Sequence, residues 1–182
     1  MHMQKYYTLH VAGLTRELPL CAVSDKLDIA AFIMFSDVEL TVACAEELIK
    51  KVPECDVLIT AESKGIPLAY EMARQMGIPY IVARKGVKVY TRNPIEVDVH
   101  SITTHGGQKL NLGQDEVDAM VGKRILIIDD VISTGDSLKA LEALVEKTGG
   151  TLVGQAAVLA EGDAADRDDI IFLEKLPLFF KD

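Results

Sequence analysis

The hydrophobic and polar positions of this chain follow the order strand, turn, helix. Residues 125–128 form an unbroken run of bulky apolar side chains, which is typical of a strand buried on both faces. After a short polar turn, Leu138, Leu141, Leu144 and Val145 recur at helical spacing and predict an amphipathic helix. The polar turn therefore follows the carboxyl end of a buried strand, where open α/β sheets bind their ligands.

Other segments repeat this alternation of strand and helix. Strands are predicted at residues 56–60, 80–83 and 153–160, and helices at residues 39–51 and 66–76. Pro67 fits the first turn of the second of these helices, and Gly77 fits its C-terminal cap. The pattern indicates an α/β fold with a parallel β-sheet flanked by helices. No repeat or linker divides the chain, so residues 1–182 are expected to form a single domain.

The pattern changes to strict alternation between about residues 90 and 112. Apolar and polar residues alternate over 95–99 and again over 110–112, and the segment between them is rich in turn-forming residues. We predict a two-stranded β-hairpin that is long enough to act as a flexible lid. Such a lid excludes water from a reactive ligand beneath it.

Composition narrows the classes of function. The 182 residues carry a net charge of −9, which argues against nucleic acid as the main partner. With 49% hydrophobic and 26% charged residues, the chain is typical of globular proteins. It has no run of about eighteen apolar residues and no signal-peptide core, so no membrane partner is expected. Its three cysteines lack metal-ligand spacing and suit buried thiols in a reducing, cytoplasmic location.

The polar turn after residues 125–128 combines two carboxylates with a loop that suits a phosphate. Asp129 and Asp130 end the strand, and the loop contributes hydroxyls, a glycine and the start of a helix through Ser133, Thr134, Gly135, Asp136 and Ser137. Converging N–H groups at a helix start bind anions. The carboxylates would repel a phosphate, so we expect them to accept hydrogen bonds from sugar hydroxyls or to steady a metal or a positive charge.

Together these features predict a phosphorylated ribose that carries a magnesium-bound leaving group. Two other interpretations compete. The first is a buried strand that happens to end in an aspartate pair and a helix cap. The second is a receiver-type phosphorylation domain, which also places acidic residues at strand ends but has no need of the hydroxyl-glycine loop.

All thirteen residues from 125 to 137 resemble the phosphoribosyl-diphosphate (PRPP) motif of the type I phosphoribosyltransferases. The resemblance implies that family's fold, with a hairpin hood over the site. It implies that Asp129 and Asp130 lie against the ribose and that residues 133–137 hold the 5′-phosphate. Mg²⁺ is then the expected cofactor, held by PRPP and water near the acidic pair with no direct protein ligand. Members of the family are usually homodimers.

Two further turns resemble pyrophosphate-binding segments of the adenine enzymes in that family. Glu62, Ser63, Lys64 and Gly65 match a Glu-Ser/Ala-Arg-Gly loop, with lysine where arginine is usual. Residues 84–88 are similar to an Arg-Lys-x-Gly-Lys segment shortened by one residue, which assigns pyrophosphate binding to Arg84, Lys85 and Lys88. In the family one such cation acts across the dimer interface, a role we assign to Arg84. The alternative to pyrophosphate binding is that residues 62–65 form an ordinary polar turn and residues 84–88 an ordinary basic turn, both exposed to solvent.

The chain departs from the adenine enzymes in three places. Its lid has no Ser-Leu-Glu-Tyr-Gly segment, and His105 is either a substitute proton carrier or a solvated loop histidine. The first fifty residues lack a Phe-Pro-x-Pro-Gly-Val segment, and residues 32–35 are either pocket lining or core. Near the C-terminus, residues 161–169 are expected to form a solvated loop.

The resemblance implies a PRPP-dependent glycosyltransferase of purine salvage that acts on a purine base, with adenine first and xanthine or guanine as alternatives. Another class is a regulator that binds PRPP without catalysis. Repressors of that kind carry a separate DNA-binding domain, for which this acidic chain has no room. A third interpretation is a different transferase, or a hydrolase, that acts on a phosphoribosyl donor.

Overall fold

The computed structural model describes residues 5–99 and 108–181. Its strands and helices alternate over the middle of the chain and differ at both ends. In chain order they are β1 (Tyr6–Val11), β2 (Leu14–Ser24), β3 (Leu27–Ala30), α1 (Val38–Ile49), β4 (Val57–Ala61), α2 (Ile66–Met76), β5 (Tyr80–Ala83), β6 (Ile95–Val99), β7 (Gln108–Leu112), α3 (Gln114–Met120), β8 (Arg124–Ile132), α4 (Asp136–Thr148), β9 (Thr151–Glu161), a short 3₁₀ helix (Gly162–Asp166), β10 (Ile171–Leu176) and β11 (Phe179–Phe180).

Five parallel strands form the central sheet in the order β10-β9-β8-β4-β5. From β4 the chain crosses through α2 to β5 on one side, whereas β8 lies on the other side of β4. The strand order therefore reverses between β4 and β8, and ligands of open α/β sheets bind at such a switch point. The predicted parallel sheet flanked by helices is confirmed.

Each face of this sheet is covered by its own apolar cluster. All five residues of β4 are buried, and so are the four apolar residues 125–128 of β8. Leu126 and Ile128 pack toward α1 and α2, whereas Ile125 and Ile127 pack with α4 and the hairpin strands. Because both faces are buried, β8 reads as a continuous apolar run and fixes the position of the residues at its carboxyl end.

The helix boundaries follow the signals in the sequence. The helix predicted at residues 66–76 has those bounds, with Pro67 in its first turn and Gly77 at its C-cap with φ of +68°. The same left-handed cap recurs at Gly149, after α4. Glycine adopts this conformation without the steric cost that other residues incur.

A second, antiparallel sheet of β1, β2, β3 and β11 was missed by the sequence analysis. Its inward positions include Leu9 and Val11, which belong to the same cluster as Leu126. The pocket lining considered for residues 32–35 divides in two: Phe32 and Met34 are core residues, whereas the two residues that alternate with them are about half exposed.

The predicted hairpin is present as β6 and β7, which pair antiparallel from Ile95–Leu112 to Val99–Gln108. The Lys147 ammonium of α4 donates to the Glu96 carbonyl oxygen at 2.7 Å and joins the hairpin to the domain. His105 lies outside the described residues, so its role stays a prediction. None of the helices described is both long and apolar enough to span a membrane.

Candidate active site

The loops that follow β4 and β8 border a cleft of about 210 Å³ at the switch point. The cleft brings together residues from three of the predicted segments. Those residues are Glu62, Ser63, Lys64, Lys85, Asp129, Asp130 and Ser137, with Ala61, Leu110 and Val131 completing the wall. Segments that are far apart in sequence thus meet at one edge of the sheet.

The phosphate loop, residues 133–137, surrounds a small hollow of about 60 Å³ beside this cleft. Gly135 is the N-cap of α4 with φ of +81°, a conformation that favours glycine. The first helical hydrogen bond runs from the Lys139 N–H to the Gly135 carbonyl, so the preceding N–H groups of α4 have no helical partner. Such groups at a helix N-terminus bind phosphate.

The loop also holds its own carboxylate. The Thr134 hydroxyl donates to Asp136 Oδ2 at 2.8 Å, while Ser133 and Ser137 are exposed. The predicted phosphate-binding residues are therefore together in one loop around one hollow. Direct contact of each with a phosphate stays a prediction.

The acidic pair sits where the buried part of β8 ends. The Asp130 side chain is only 4% exposed, and Asp129 is half-buried. The Asp130 N–H donates to Asp129 Oδ1 at 2.9 Å. Burial, and next the charge of Asp130, raises the pKa of Asp129 well above its usual range, while Lys64 opposes the shift. Two carboxylates this close are costly to keep ionised, so the pair attracts hydrogen-bond donors and positive charge.

Asp130 has an unsatisfied acceptor. Its Oδ2 is buried and has no hydrogen-bond partner within the described part of the chain. A buried carboxylate oxygen without a partner is unfavourable, and a ligand hydroxyl at the cleft would supply the missing donor.

Gly65 permits the close approach of the loop that follows β4, residues 62–65, to β8. A Cβ at this position would overlap the Thr60 hydroxyl oxygen and lie 3.2 Å from Asp129 Oδ1. The Glu62–Ser63 peptide bond is cis, and Ser63 and Lys64 are exposed at the cleft. The loop thus places a lysine beside the acidic pair, as its effect on the pKa of Asp129 also shows.

Glu62 joins the two predicted pyrophosphate segments to each other. Its carboxylate accepts the Lys85 N–H at 3.0 Å, and its own N–H donates to the Ala83 carbonyl at 2.9 Å. These bonds hold Lys85 at the rim of the cleft. The Glu62 carboxylate is therefore engaged in orienting the basic segment.

Arg84 and Lys88 do not line this cleft. The Arg84 guanidinium lies over the Tyr90 ring, 5.9 Å from its centroid, in a separate pocket of about 70 Å³. The buried Asn111 side chain donates to the Arg84 carbonyl at 2.7 Å and ties the basic segment to β7. Lys88 is exposed, and its N–H donates to the Thr91 hydroxyl at 3.2 Å. A role for either cation toward pyrophosphate stays a prediction.

The expectation of a solvated loop over residues 161–169 was wrong only in part, since Asp163, Asp166, Asp168 and Asp169 are exposed. Residues 162–166 form the 3₁₀ helix, in which Ala164 is 1% exposed. Glu161 is half-buried, and burial raises its pKa while the charge of Lys64 opposes the shift. The buried alanine among aspartates was the signal available in the sequence, but a lone small residue does not establish a helical face.

No group of three or more His, Cys, Asp or Glu side chains within residues 5–99 and 108–181 is arranged to hold a metal ion. The acidic pair supplies two carboxylates, so a divalent cation here would take most of its ligands from a bound molecule and water.

A family model described as "Phosphoribosyl transferase domain" matches residues 39–177. The chain belongs to this family. The matched region includes the acidic pair and both anion loops. The predicted type I phosphoribosyltransferase fold and the predicted enzyme class, a PRPP-dependent glycosyltransferase, are confirmed.

The sequence relatives carry the names of several purine enzymes. A xanthine phosphoribosyltransferase from Exiguobacterium is 30% identical over 82% of this chain and 79% of its own length. An adenine phosphoribosyltransferase from Bifidobacterium longum is 36% identical over 58% of this chain and 52% of its own length. Others are named hypoxanthine/guanine phosphoribosyltransferase. The chain thus groups with the purine and xanthine phosphoribosyltransferases.

Solved structures support the fold. The adenine phosphoribosyltransferase of Thermoanaerobacter pseudethanolicus superimposes with a TM-score of 0.66 at 23% identity, over 78% of this chain and 84% of that one. At this identity the likeness concerns the architecture alone.

Gly65→Ala is expected to reduce both stability and turnover, because the added methyl group meets the Thr60 hydroxyl and crowds Asp129. Overpacking of this kind costs about 1–3 kcal/mol of unfolding free energy. Thermal unfolding and initial rates measure the effect. In the double variant with Thr60→Ala the nearest clash is gone, so part of the lost stability should return. Equal stability of Gly65→Ala and the wild type would contradict the close approach.

Asp129→Asn is expected to stabilise the folded protein at neutral pH while abolishing most activity. Burial and Asp130 raise the pKa of Asp129 in the folded state. Between the unfolded and the folded pKa, the Asp129 carboxyl therefore keeps its proton in the folded protein and loses it on unfolding. Wild-type stability should therefore fall as the pH rises from about 4, the usual carboxyl value, through the raised pKa.

The check is the melting temperature of both proteins across this pH range. Their difference should be small at low pH and grow with pH to a few degrees, since about 1 kcal/mol shifts Tm by about 2–4 °C in a chain of this size. Asp25→Asn, at an exposed turn, makes the same chemical change without burial and serves as the matched control. If the difference in melting temperature between Asp129→Asn and the wild type does not vary with pH, the pKa of Asp129 is not raised in the folded state.

Proposed function

We propose that this protein is a purine phosphoribosyltransferase of purine salvage. It transfers the 5-phosphoribosyl group of PRPP to a nitrogen of a purine base and releases pyrophosphate. The observation that carries the proposal is the arrangement of two anion-binding loops on either side of a buried acidic pair at the switch point. One loop suits the 5′-phosphate of the donor, the other its pyrophosphate, and the ribose spans the distance between them.

The charges of the site match the charges that develop in this reaction. Rupture of the bond from C1′ to pyrophosphate leaves positive charge on the ribose and negative charge on the leaving group. Asp129 and Asp130 lie on the ribose side and favour the cationic sugar. Lys64 and Lys85 line the same cleft, and in this proposal they favour the departing pyrophosphate. With the 5′-phosphate fixed at residues 133–137, C1′ is held near the attacking base nitrogen.

Mg²⁺ fits this arrangement as a cofactor. The buried Asp130 oxygen has no hydrogen-bond partner among the described residues, and the pKa of Asp129 is raised although Lys64 opposes the shift, so further positive charge beside the pair would be favourable. A magnesium ion bound mainly by PRPP and water would supply that charge and neutralise the pyrophosphate. Asp129 and Asp130 would hold its water ligands.

Adenine is the base that we propose first, on the resemblance of the two pyrophosphate segments to those of adenine enzymes. A 6-oxopurine is the second candidate. It is favoured by the xanthine phosphoribosyltransferase relative, whose similarity extends over 82% of this chain. The His105 segment and the exposed side chains of residues 33 and 35 are where this choice would be made.

We further propose a cytoplasmic homodimer in which Arg84 reaches the partner's site.

The experiment is a panel of initial rates with PRPP, Mg²⁺ and each of adenine, xanthine, guanine and hypoxanthine, with pyrophosphate release as the readout. Release that depends on one purine identifies the acceptor. Release at the same rate without any base would indicate a hydrolase. Binding of PRPP without release under any condition would indicate a regulator, and either result would refute the proposal.

Asp130→Asn is expected to lower kcat by about 10²–10³-fold, the usual loss when one preorganised electrostatic group is removed from an active site. Asparagine keeps the shape of the side chain, so the fold should be retained, and circular dichroism verifies this. The KM for the base should change little because the residue faces the ribose. An unchanged kcat would remove the acidic pair from the mechanism.

A further inference from the structure

Arg167 reaches the phosphate loop from an element that is distant in sequence. It follows the 3₁₀ helix in the connection from β9 to β10, and its N–H donates to the Ala164 carbonyl at 3.2 Å. Because β9 pairs with β8, this connection runs beside the loop that leaves β8. Arg167 Nη1 lies 3.0 Å from the position that a Cβ on Gly135 would occupy, so the guanidinium packs directly on the loop glycine.

Asp169 fixes the orientation of this guanidinium. Its carboxylate accepts from Nε at 2.8 Å and from Nη2 at 2.6 Å, a bidentate geometry that occupies one edge of the fork. Nη1 is the nitrogen left over, and it makes no hydrogen bond to the described residues. The Arg167 side chain is 31% exposed, less than Asp169 at 52%. The approach of Nη1 to Gly135 shows that this free nitrogen is turned to the loop.

The phosphate loop needs such a cation. The loop itself, residues 133–137, contains no lysine or arginine and carries the carboxylate of Asp136, and the nearest cation in the sequence is the exposed Lys139 in the first turn of α4. The neighbouring acidic pair adds more negative charge, in a chain whose net charge is −9. Main-chain N–H groups and Lys139 must otherwise offset the charge of a phosphate dianion there.

We propose that Arg167, oriented by Asp169, is a positioning residue that fixes the phosphate loop at Gly135 and biases it toward the 5′-phosphate of the substrate. This inference rests on the proposed function of the same loop. Since Arg167 acts on the 5′-phosphate end and lies outside the cleft of Lys64 and Lys85, it should affect the two ends of PRPP unequally.

The test compares two probes, ribose 5-phosphate and pyrophosphate, by calorimetry on wild type and Arg167→Gln. The affinity for ribose 5-phosphate should weaken by about tenfold and the KM for PRPP should rise by a similar factor, because the loop loses both the group that fixes it and a nearby positive charge. The affinity for pyrophosphate should stay within about twofold. Asp169→Asn frees the guanidinium of Arg167 but leaves its positive charge in place. This variant should also have a lower affinity for ribose 5-phosphate.

Arg74→Gln is the matched control, because Arg74 makes the same bidentate pair with Glu71 on α2, away from the phosphate loop. It should leave both affinities unchanged. Arg167→Lys keeps the positive charge but lacks the planar guanidinium that binds Asp169 through two nitrogens. It should therefore not have wild-type affinity for ribose 5-phosphate. Full restoration by lysine, equal loss for both probes, or unchanged ribose 5-phosphate binding in Arg167→Gln would each overturn the inference.

The outcomes separate this inference from the proposed function. Wild-type protein that turns over a purine while Arg167→Gln binds ribose 5-phosphate normally refutes only the role of Arg167. Wild-type protein that binds ribose 5-phosphate in an Arg167-dependent manner, but transfers the phosphoribosyl group of PRPP to no base, refutes only the transferase proposal.

Discussion

The close approach of the loop after β4 to the carboxyl end of β8 is the constraint on which the rest of the site depends. Glycine at position 65 makes it possible, because a side chain would meet both Thr60 and Asp129. The approach places Lys64 beside two carboxylates that are costly to bury together. The strands beneath are buried on both faces, so the protein core holds this unfavourable arrangement in place.

The positive charges of the site come from separate elements, and carboxylates hold two of these elements in different ways. The Glu62 carboxylate accepts the backbone N–H of Lys85 and so fixes the main chain of the basic segment, whereas the Asp169 carboxylate binds the Arg167 guanidinium itself. In an acidic protein this arrangement keeps a few cations beside the anion loops without a broad basic surface.

The central α/β layer was predictable because its signals are local. The apolar run of 125–128, the helical spacing from Leu138 onward and the caps at Gly77 and Gly149 each act within a few residues. In the antiparallel sheet, β1, β2 and β3 pair through short turns, a local signal that was overlooked in the first thirty residues. The fourth strand was not predictable in this way, because β11 pairs with β3 across most of the chain length. Its two residues carry no pattern of their own, and only long-range pairing defines them as a strand.

For the site, the sequence by itself determined the acidic pair, the phosphate loop and the family to which they belong, since these are one contiguous motif on one strand–turn–helix unit. Only the tertiary structure decided that Lys85 borders the cleft while Arg84 lies on Tyr90, and that Arg167 packs on Gly135. The physical reason is distance along the chain. Neighbouring strands of a parallel sheet bring remote loops to one edge, and which side chain faces which depends on packing that no local pattern encodes.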